Sequence, residues 1–329
     1  NDIAEEYIRV AGYDRIPATL FAYSQAIKSE WDEKLVFVNK AKKALAALGL
    51  YECVTYSFTT PKFKELLRLK EDDFRRETVE LMNPLGEQVS VMRTTLIHSM
   101  LETVALNLSR FNKEGALFEV GRVYYPREKS LPSEKEMLCV ALFGDEDFFT
   151  LKGVIENLFK ALGAKLEVKK KVYTHLHDGK SAAIECKGVE VGSMGELHPL
   201  VQKNYDINKK VYIAEISLED LMPLCEGKIT FEEFSRYPEV ERDLALVVDK
   251  DLEAGSIVSK IMNAGIPFIR SCEVFDVFES VQIGEGKKSV ALRFRLVSFE
   301  KTLTDGEINS SMESILKLTE KEFGAKLRD

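Results

Sequence analysis

Apolar residues recur along this chain with two periods, and the switch between them divides it. Ile3, Tyr7, Ile8, Val10 and Ala11 fall at helical spacing and predict a short amphipathic helix that Gly12 stops. Residues 12–17 then read as a turn entering an extended linker. A second helix is expected over residues 31–48, with Leu35, Val38, Ala41, Leu45 and Leu48 on one face. Beyond Gly49 the pattern turns to strands. Residues 51–59 alternate and are rich in aromatic and β-branched side chains, and residues 78–82 predict a second short strand. A helix capped by Thr94 or Thr95 is expected through residue 112, burying Leu96, Met100, Val104 and Leu108. Strands are predicted at 116–125, 137–143, 166–173, 181–185, 189–194 and 210–216, with one helix at 151–162 ended by Gly163. This is an α+β layout around a mainly antiparallel sheet.

A boundary is expected near residues 226–236. After it the order is strand 243–248, helix 254–264, strand 270–279, a hairpin at Gly284-Glu285-Gly286, strand 289–297, helix 305–323 and a short last strand. Thr304 and Glu307 have the spacing of a capping box. Read in order this is βαββαβ, a ferredoxin-like arrangement.

Composition narrows the function. With 329 residues, 45% hydrophobic and 30% charged, the chain is that of a soluble globular protein of two or three domains. No apolar run is long enough for a membrane span, and nothing at the start resembles a signal peptide, so the expected location is cytoplasmic. The start at Asn1 reads as a piece of a longer protein. A net charge of −8 argues against bulk attraction to nucleic acid. The five cysteines are scattered and odd in number, which predicts buried free thiols and no zinc knuckle or disulfide framework.

Familiar catalytic signatures are missing: no GxSxG, HExxH, Walker A loop or GxGxxG after a strand. Gly284-Glu285-Gly286-Lys287-Lys288 joins two strands, so it reads as a turn and not as a phosphate cradle. His175 and His177 lie two apart, the spacing of metal ligands on one side of a strand, but no carboxylate or thiol pattern completes a site. His98 falls on a predicted helix as a packing residue. A chain of this size without an active site is expected to be a structural or binding partner.

Three stretches, in order, resemble the β subunit of bacterial phenylalanyl-tRNA synthetase. The first runs from Asp2-Ile3-Ala4-Glu5-Glu6 through Arg9 and Gly12-Tyr13 to Ile16-Pro17. The second comprises Asn83-Pro84-Leu85-Gly86, Ser90-Val91-Met92-Arg93-Thr94-Thr95-Leu96, Phe118-Glu119-Val120-Gly121-Arg122 and Gly195-Glu196-Leu197-His198-Pro199. The third comprises Arg236-Tyr237-Pro238, Arg242-Asp243-Leu244-Ala245, Phe275-Asp276-Val277-Phe278 and Lys288-Ser289.

The resemblance covers essentially the whole chain and implies its C-terminal parts. These are the tail of a small helical domain (1–30), an inactive class II synthetase-like antiparallel module (31–228), and a ferredoxin-fold anticodon-binding domain (229–329). It implies a non-catalytic fragment of phenylalanine–tRNA ligase that supports the catalytic α subunit in an α2β2 enzyme and recognises the anticodon of tRNA(Phe). Editing would lie outside it. The working class II core ends its third motif in an Arg. The corresponding region here, residues 191–199, has none, so the module is expected neither to bind ATP nor to form the adenylate.

The resemblance also implies site residues. Asp2, Glu5 and Glu6 match a Mg²⁺ site toward the α subunit, and their i, i+3, i+4 spacing places hard oxygen ligands on one helical face. A further Asp of that site would fall before Asn1, so the set is incomplete. Arg93 is a candidate for the subunit interface. Asp276, Phe278 and Ser289 match positions that read the anticodon, the polar pair by hydrogen bonding a base edge and Phe278 by stacking. From Ile229 on, 14 Lys plus Arg face 19 Asp plus Glu, a net of −5, which favours local readout. Lys287, Lys288, Arg293 and Arg295 are expected to form a local positive patch. The alternative reading is a free-standing RNA-binding module. Its strands lack the paired aromatics of an RRM.

Overall fold

The computed structural model describes residues 1–19, 31–226, 231, 233–280, 283–284 and 286–328, which divide into two units at residues 229 and 230. The linker expected up to residue 30 lies mostly outside the described residues.

In the first unit, α1 (Asp2–Ala11) buries no residue. Helix α2 (Glu33–Ala47) is capped by the Asp32 carboxylate, which accepts from Lys34 N at 2.8 Å. The strand expected over 51–59 is split into β1 (Tyr51–Glu52) and β2 (Phe58–Thr59). The halves serve different sheets: β1 pairs in parallel with β4 (Gly115–Tyr125), and β2 pairs with β3 (Val91–Met92). The strand expected at 78–82 reduces to a single bridge between Glu80 and Val91. After the single turn α3 (Phe63–Leu66), α4 runs over Ile97–Ser109 and begins later than expected. Thr95 Oγ1 accepts from Ile97 N at 3.2 Å but gives its own proton to Glu215.

The remaining elements are β5 (Ser133–Phe143), α5 (Phe148–Leu162), β6 (Glu167–Lys170), β7 (Leu176–Cys186), β8 (Val189–Leu197), α6 (Pro199–Asn204), β9 (Val211–Ser217) and α7 (Leu218–Leu221). They complete a seven-stranded sheet in the order β1-β4-β5-β9-β8-β7-β6, antiparallel except for β1. Alternation sends Phe118, Leu138, Val140, Ala214 and Ile216 to one face against α2 and α5. It sends Cys139, Ala141, Phe143, Leu197 and Ile213 to the other, against α3 and α4. Both faces are therefore covered. Each Leu or Phe withdrawn this way contributes roughly 1.5–3 kcal/mol. Gly192 is required where β8 lies against β9, since a Cβ there would stand 2.2 Å from the Glu215 carbonyl oxygen. That packing accounts for one of the two glycines in residues 191–199.

The second unit has the predicted order: β10 (Val240–Asp249), α8 (Ala254–Met262), β11 (Ile269–Phe278), β12 (Lys287–Leu296), α9 (Asp305–Phe323) and β13 (Lys326–Leu327). The sheet order is β11-β12-β10-β13, and all pairs are antiparallel. Leu244, Leu246, Val290, Leu292 and Phe294 face α8 and α9, meeting Ile257, Ile261, Ile308 and Ile315. The capping box of α9 is present, with Thr304 N donating to Glu307 Oε2 at 3.0 Å and Glu307 N to Thr304 Oγ1 at 3.4 Å. Glu285 of the expected hairpin lies outside the described residues, but Lys287 N donates to the Gly284 carbonyl.

Candidate nucleic-acid interface

Among the described residues, the opposite face of the second sheet carries no helix. Cross-strand register arranges it in rows. Phe278, Ser289 and Val247 form one; Asp276, Ala291 and Ala245 the next; Glu273, Arg293 and Asp243 a third. Two small alanines thus make a flat floor, with an aromatic at one end and a charged row at the other. Phe278 is 43% exposed and Asp276 is exposed, whereas Ser289, flanked by Phe278 and Val247, is only 2% exposed.

Alternation alone would put Phe275 on the same side as Val277. A bulge between Val274 and Asp276 adds one residue to β11, and Phe275 lies against Arg293, whose guanidinium carbon is 4.9 Å from the ring centroid. The chain end supplies a second contact of this kind, Arg328 over Phe278 at 5.1 Å. Phe275 and the two arginine stacks were missed by the sequence reading. The bulge has no signature in a single sequence, and Arg328 reaches Phe278 only through tertiary pairing.

The expected positive patch is largely neutralised. Arg293 donates from Nε and Nη2 to Asp243 at 2.9 and 2.8 Å, Arg295 pairs with Glu241 at 3.2 Å, and Lys287 with Asp249 at 2.5 Å. Each acid lies on β10 directly opposite its base, so register matches charges that the sequence showed only as separate runs. The Asp243 hydrogen bonds and charge raise the pKa of the Arg293 guanidinium above its usual value.

The first sheet differs. The row Glu119, Cys139, Glu215, Ser193 crosses its second face beneath α4. Arg93, only 4% exposed, lies in this layer. Its Nη1 donates to Glu119 Oε1 at 2.8 Å and to Thr55 Oγ1 at 2.9 Å, and its Nε donates to the Arg122 carbonyl at 2.8 Å. A Cβ at residue 121 would stand 2.3 Å from the Arg93 guanidinium, so Gly121 makes room for it. Glu215 accepts from Thr95 Oγ1 and Leu96 N, both at 2.7 Å, while burial pushes its carboxyl pKa up. Burial, with the nearby Glu215 and Glu119, also pushes the Cys139 thiol well up.

All four histidines, His98, His175, His177 and His198, sit in the same unit. Burial lowers His98 to about 4, and its Nδ1 is 2.7 Å from the Tyr205 hydroxyl. His175 is buried and lowered to about 3, first by burial and then by Arg75. His177 Nδ1 accepts from Gly179 N, and among the described residues no further His, Cys, Asp or Glu joins His175 and His177 in a metal-binding group. On α1, Glu6 is taken by Arg9, which donates from Nε at 3.0 Å. Among the described residues, no three His, Cys, Asp or Glu side chains are gathered to hold a metal ion, so Asp2, Glu5 and Glu6 do not fit a Mg²⁺ site as they stand. All five cysteines are free; Cys53 and Cys225 are only half-buried. No described helix is long and apolar enough to cross a membrane.

Comparison with known proteins follows this division. Residues 16–218 match the family model described as the phenylalanyl tRNA synthetase beta chain CLM domain, and residues 235–328 match the ferredoxin-fold anticodon binding domain. Over 99% of its length the chain is 37% identical to the phenylalanine–tRNA ligase beta subunit of Clostridium tetani and 36% identical to that of Clostridium acetobutylicum. In both cases 42% of the relative is covered, so the chain spans about two fifths of the length of these curated relatives. The crystal structure of pyrrolysyl-tRNA synthetase from Desulfitobacterium hafniense overlays with a TM-score of 0.47 at 17% identity. That overlay covers 58% of this chain and 68% of that one, a likeness too weak to argue from.

Proposed function

The chain belongs to the phenylalanyl-tRNA synthetase beta chain family, and from that premise we propose that it is the non-catalytic C-terminal part of a phenylalanine–tRNA ligase β subunit. The whole enzyme joins phenylalanine to tRNA(Phe) using ATP. This part supports the catalytic α subunit within an α2β2 assembly and recognises the anticodon. The work belongs with translation in the cytoplasm.

The observation that carries the reading is the helix-free sheet face of the second unit. Asp276 offers a carboxylate to a base edge, Phe278 offers a ring for stacking, and the alanine floor lets a planar base approach the sheet. Ser289 lies between Phe278 and Val247 and is buried, so its hydroxyl serves a base only if the Phe278 ring moves aside. Matched charges on this face mean that recognition proceeds by shape and hydrogen bonding, with little general attraction to phosphate.

In the first unit, the partner surface is the exposed apolar segment around Val54 and Tyr56, 86% and 81% exposed, continued by Leu106 on α4. Arg93 serves it from beneath. Its backbone N donates to the Ser57 carbonyl at 2.9 Å and its side chain to Thr55, so the buried pair with Glu119 holds the segment in place. For the metal, synthetase chemistry uses Mg²⁺ with ATP, but no step is assigned here through Asp2, Glu5 or Glu6. No observation favours the free-standing RNA-binding alternative.

The test uses the complete β subunit assembled with α. Replacing Asp276, Phe278 and Ser289 together by Ala should lower kcat/KM for tRNA while ATP–pyrophosphate exchange stays intact. Unchanged charging would overturn the assignment.

A further inference from the structure

We infer that the sheet face holds two stacking platforms, and that the second, Arg293 laid on Phe275, receives the nucleobase adjacent to the one on Phe278. The inference rests on the anticodon reading above and extends it to residues that reading does not use. Three observations carry it. The β11 bulge brings Phe275 against Arg293, and because the extra residue adds little rise Phe275 stands two ladder steps from Phe278, about 7 Å along a strand at roughly 3.3 Å per residue. That is within reach of consecutive unstacked nucleotides. The Arg293 guanidinium is fixed in plane: Nε and Nη2 are both held by Asp243, and Phe275 backs one side of it. Its side chain is nonetheless 41% exposed. A guanidinium pinned at its edge and backed by a ring has one planar face left to offer, and a base stacks on such a face as it does on an aromatic.

The platforms differ in chemistry. Phe278 is apolar and is met by Arg328, which comes from beyond β13. Arg293 is cationic but already neutralised by Asp243, so its contribution is stacking geometry and not net charge. Exchange for Lys keeps the charge and removes the plane.

The test places 2-aminopurine singly at each anticodon position of tRNA(Phe) and follows its fluorescence on binding to the complete αβ enzyme. Variants are Phe278→Ala, Arg293→Lys and Phe275→Leu. The last keeps apolar bulk in the bulge, and thermal unfolding of each variant checks that the unit stays folded. Phe278→Ala should change the signal at one position. Arg293→Lys and Phe275→Leu should change it at the neighbouring position, each with a loss of tRNA affinity of about fivefold to a hundredfold, the span of base–aromatic stacking. Wild-type signals at every position in both Arg293→Lys and Phe275→Leu, with Phe278→Ala still active at its own, overturn the second platform alone. No response to Phe278→Ala removes the anticodon reading and this inference with it.

Discussion

The main sheets of the two units each bury one face against helices, and they part company on the other. In the first unit the second face is covered by α3 and α4, and its ionisable groups are spent internally: Arg93 pairs with Glu119, and Glu215 accepts hydrogen bonds from Thr95 and Leu96. In the second unit the corresponding face has no helix over it among the described residues, and is floored by Ala245 and Ala291 and flanked by rings under arginines. The lesson concerns where polar side chains go. Buried charges must be paired at once, which makes them structural. Groups on an open face remain available to a ligand.

That contrast can be broken in order of effect. Removing the partner of a buried charge should cost most. Glu119→Ala strands the Arg93 guanidinium and is expected to destabilise the first unit by about 3–5 kcal/mol in chemical denaturation. The tRNA-binding residues of the second unit should be untouched. A loss below 1 kcal/mol would mean that the pair is not structural.

Acid should act on the same unit. His98 and His175 sit well below the ordinary 6.5 in the fold, at about 4 and about 3. Below pH 6.5 the unfolded chain takes up protons that the folded unit refuses. Stability therefore falls as pH drops from about 6.5 toward 4, by up to about 1.4 kcal/mol per pH unit for each histidine. Above pH 7 neither contributes a slope. His175→Leu should flatten the dependence measured between pH 6.5 and 5, and an unaltered slope would show that His175 does not drive it.

On the open face, Phe278→Ala should weaken tRNA binding by about 1–3 kcal/mol with little change in melting temperature. A large drop in melting temperature would instead make Phe278 a core residue and erase the distinction between the two sheets. The smallest effect is expected at the α9 cap, where Thr304→Ala should cost about 1 kcal/mol in the second unit. Glu307, held down to about 2 first by its hydrogen bond to Lys301 and then by Thr304, keeps its part of the cap ionised until well below pH 4. Its contribution should be complete above the ordinary value of 4.5 and be lost as pH falls from there to about 2; a pH series in which the difference between wild type and Thr304→Ala stays constant across that window would rule this out.

Much of the fold was legible from pattern. The βαββαβ order, α9 and its capping box followed from local periodicity and turn chemistry, because those elements are amphipathic and locally consistent. The stretch at 51–59 was misread as one strand. Alternation reports which side a residue faces, not which neighbour supplies its hydrogen bonds. Arg93 illustrates a similar limit: an arginine after Met92 looks like surface, and only the approach of Glu119 from a strand 26 residues away takes it inside.

By itself, then, the sequence determined the class of elements, their order, and the motifs that place the chain in its family, since these rest on short-range periodicity and residue identity. The tertiary structure alone decided which charges cancel, which sheet face stays bare, and that Phe275 and Arg293 meet. Those outcomes depend on strand register and one inserted residue in β11. Register is set by the packing of distant strands, and no local stretch of sequence carries it.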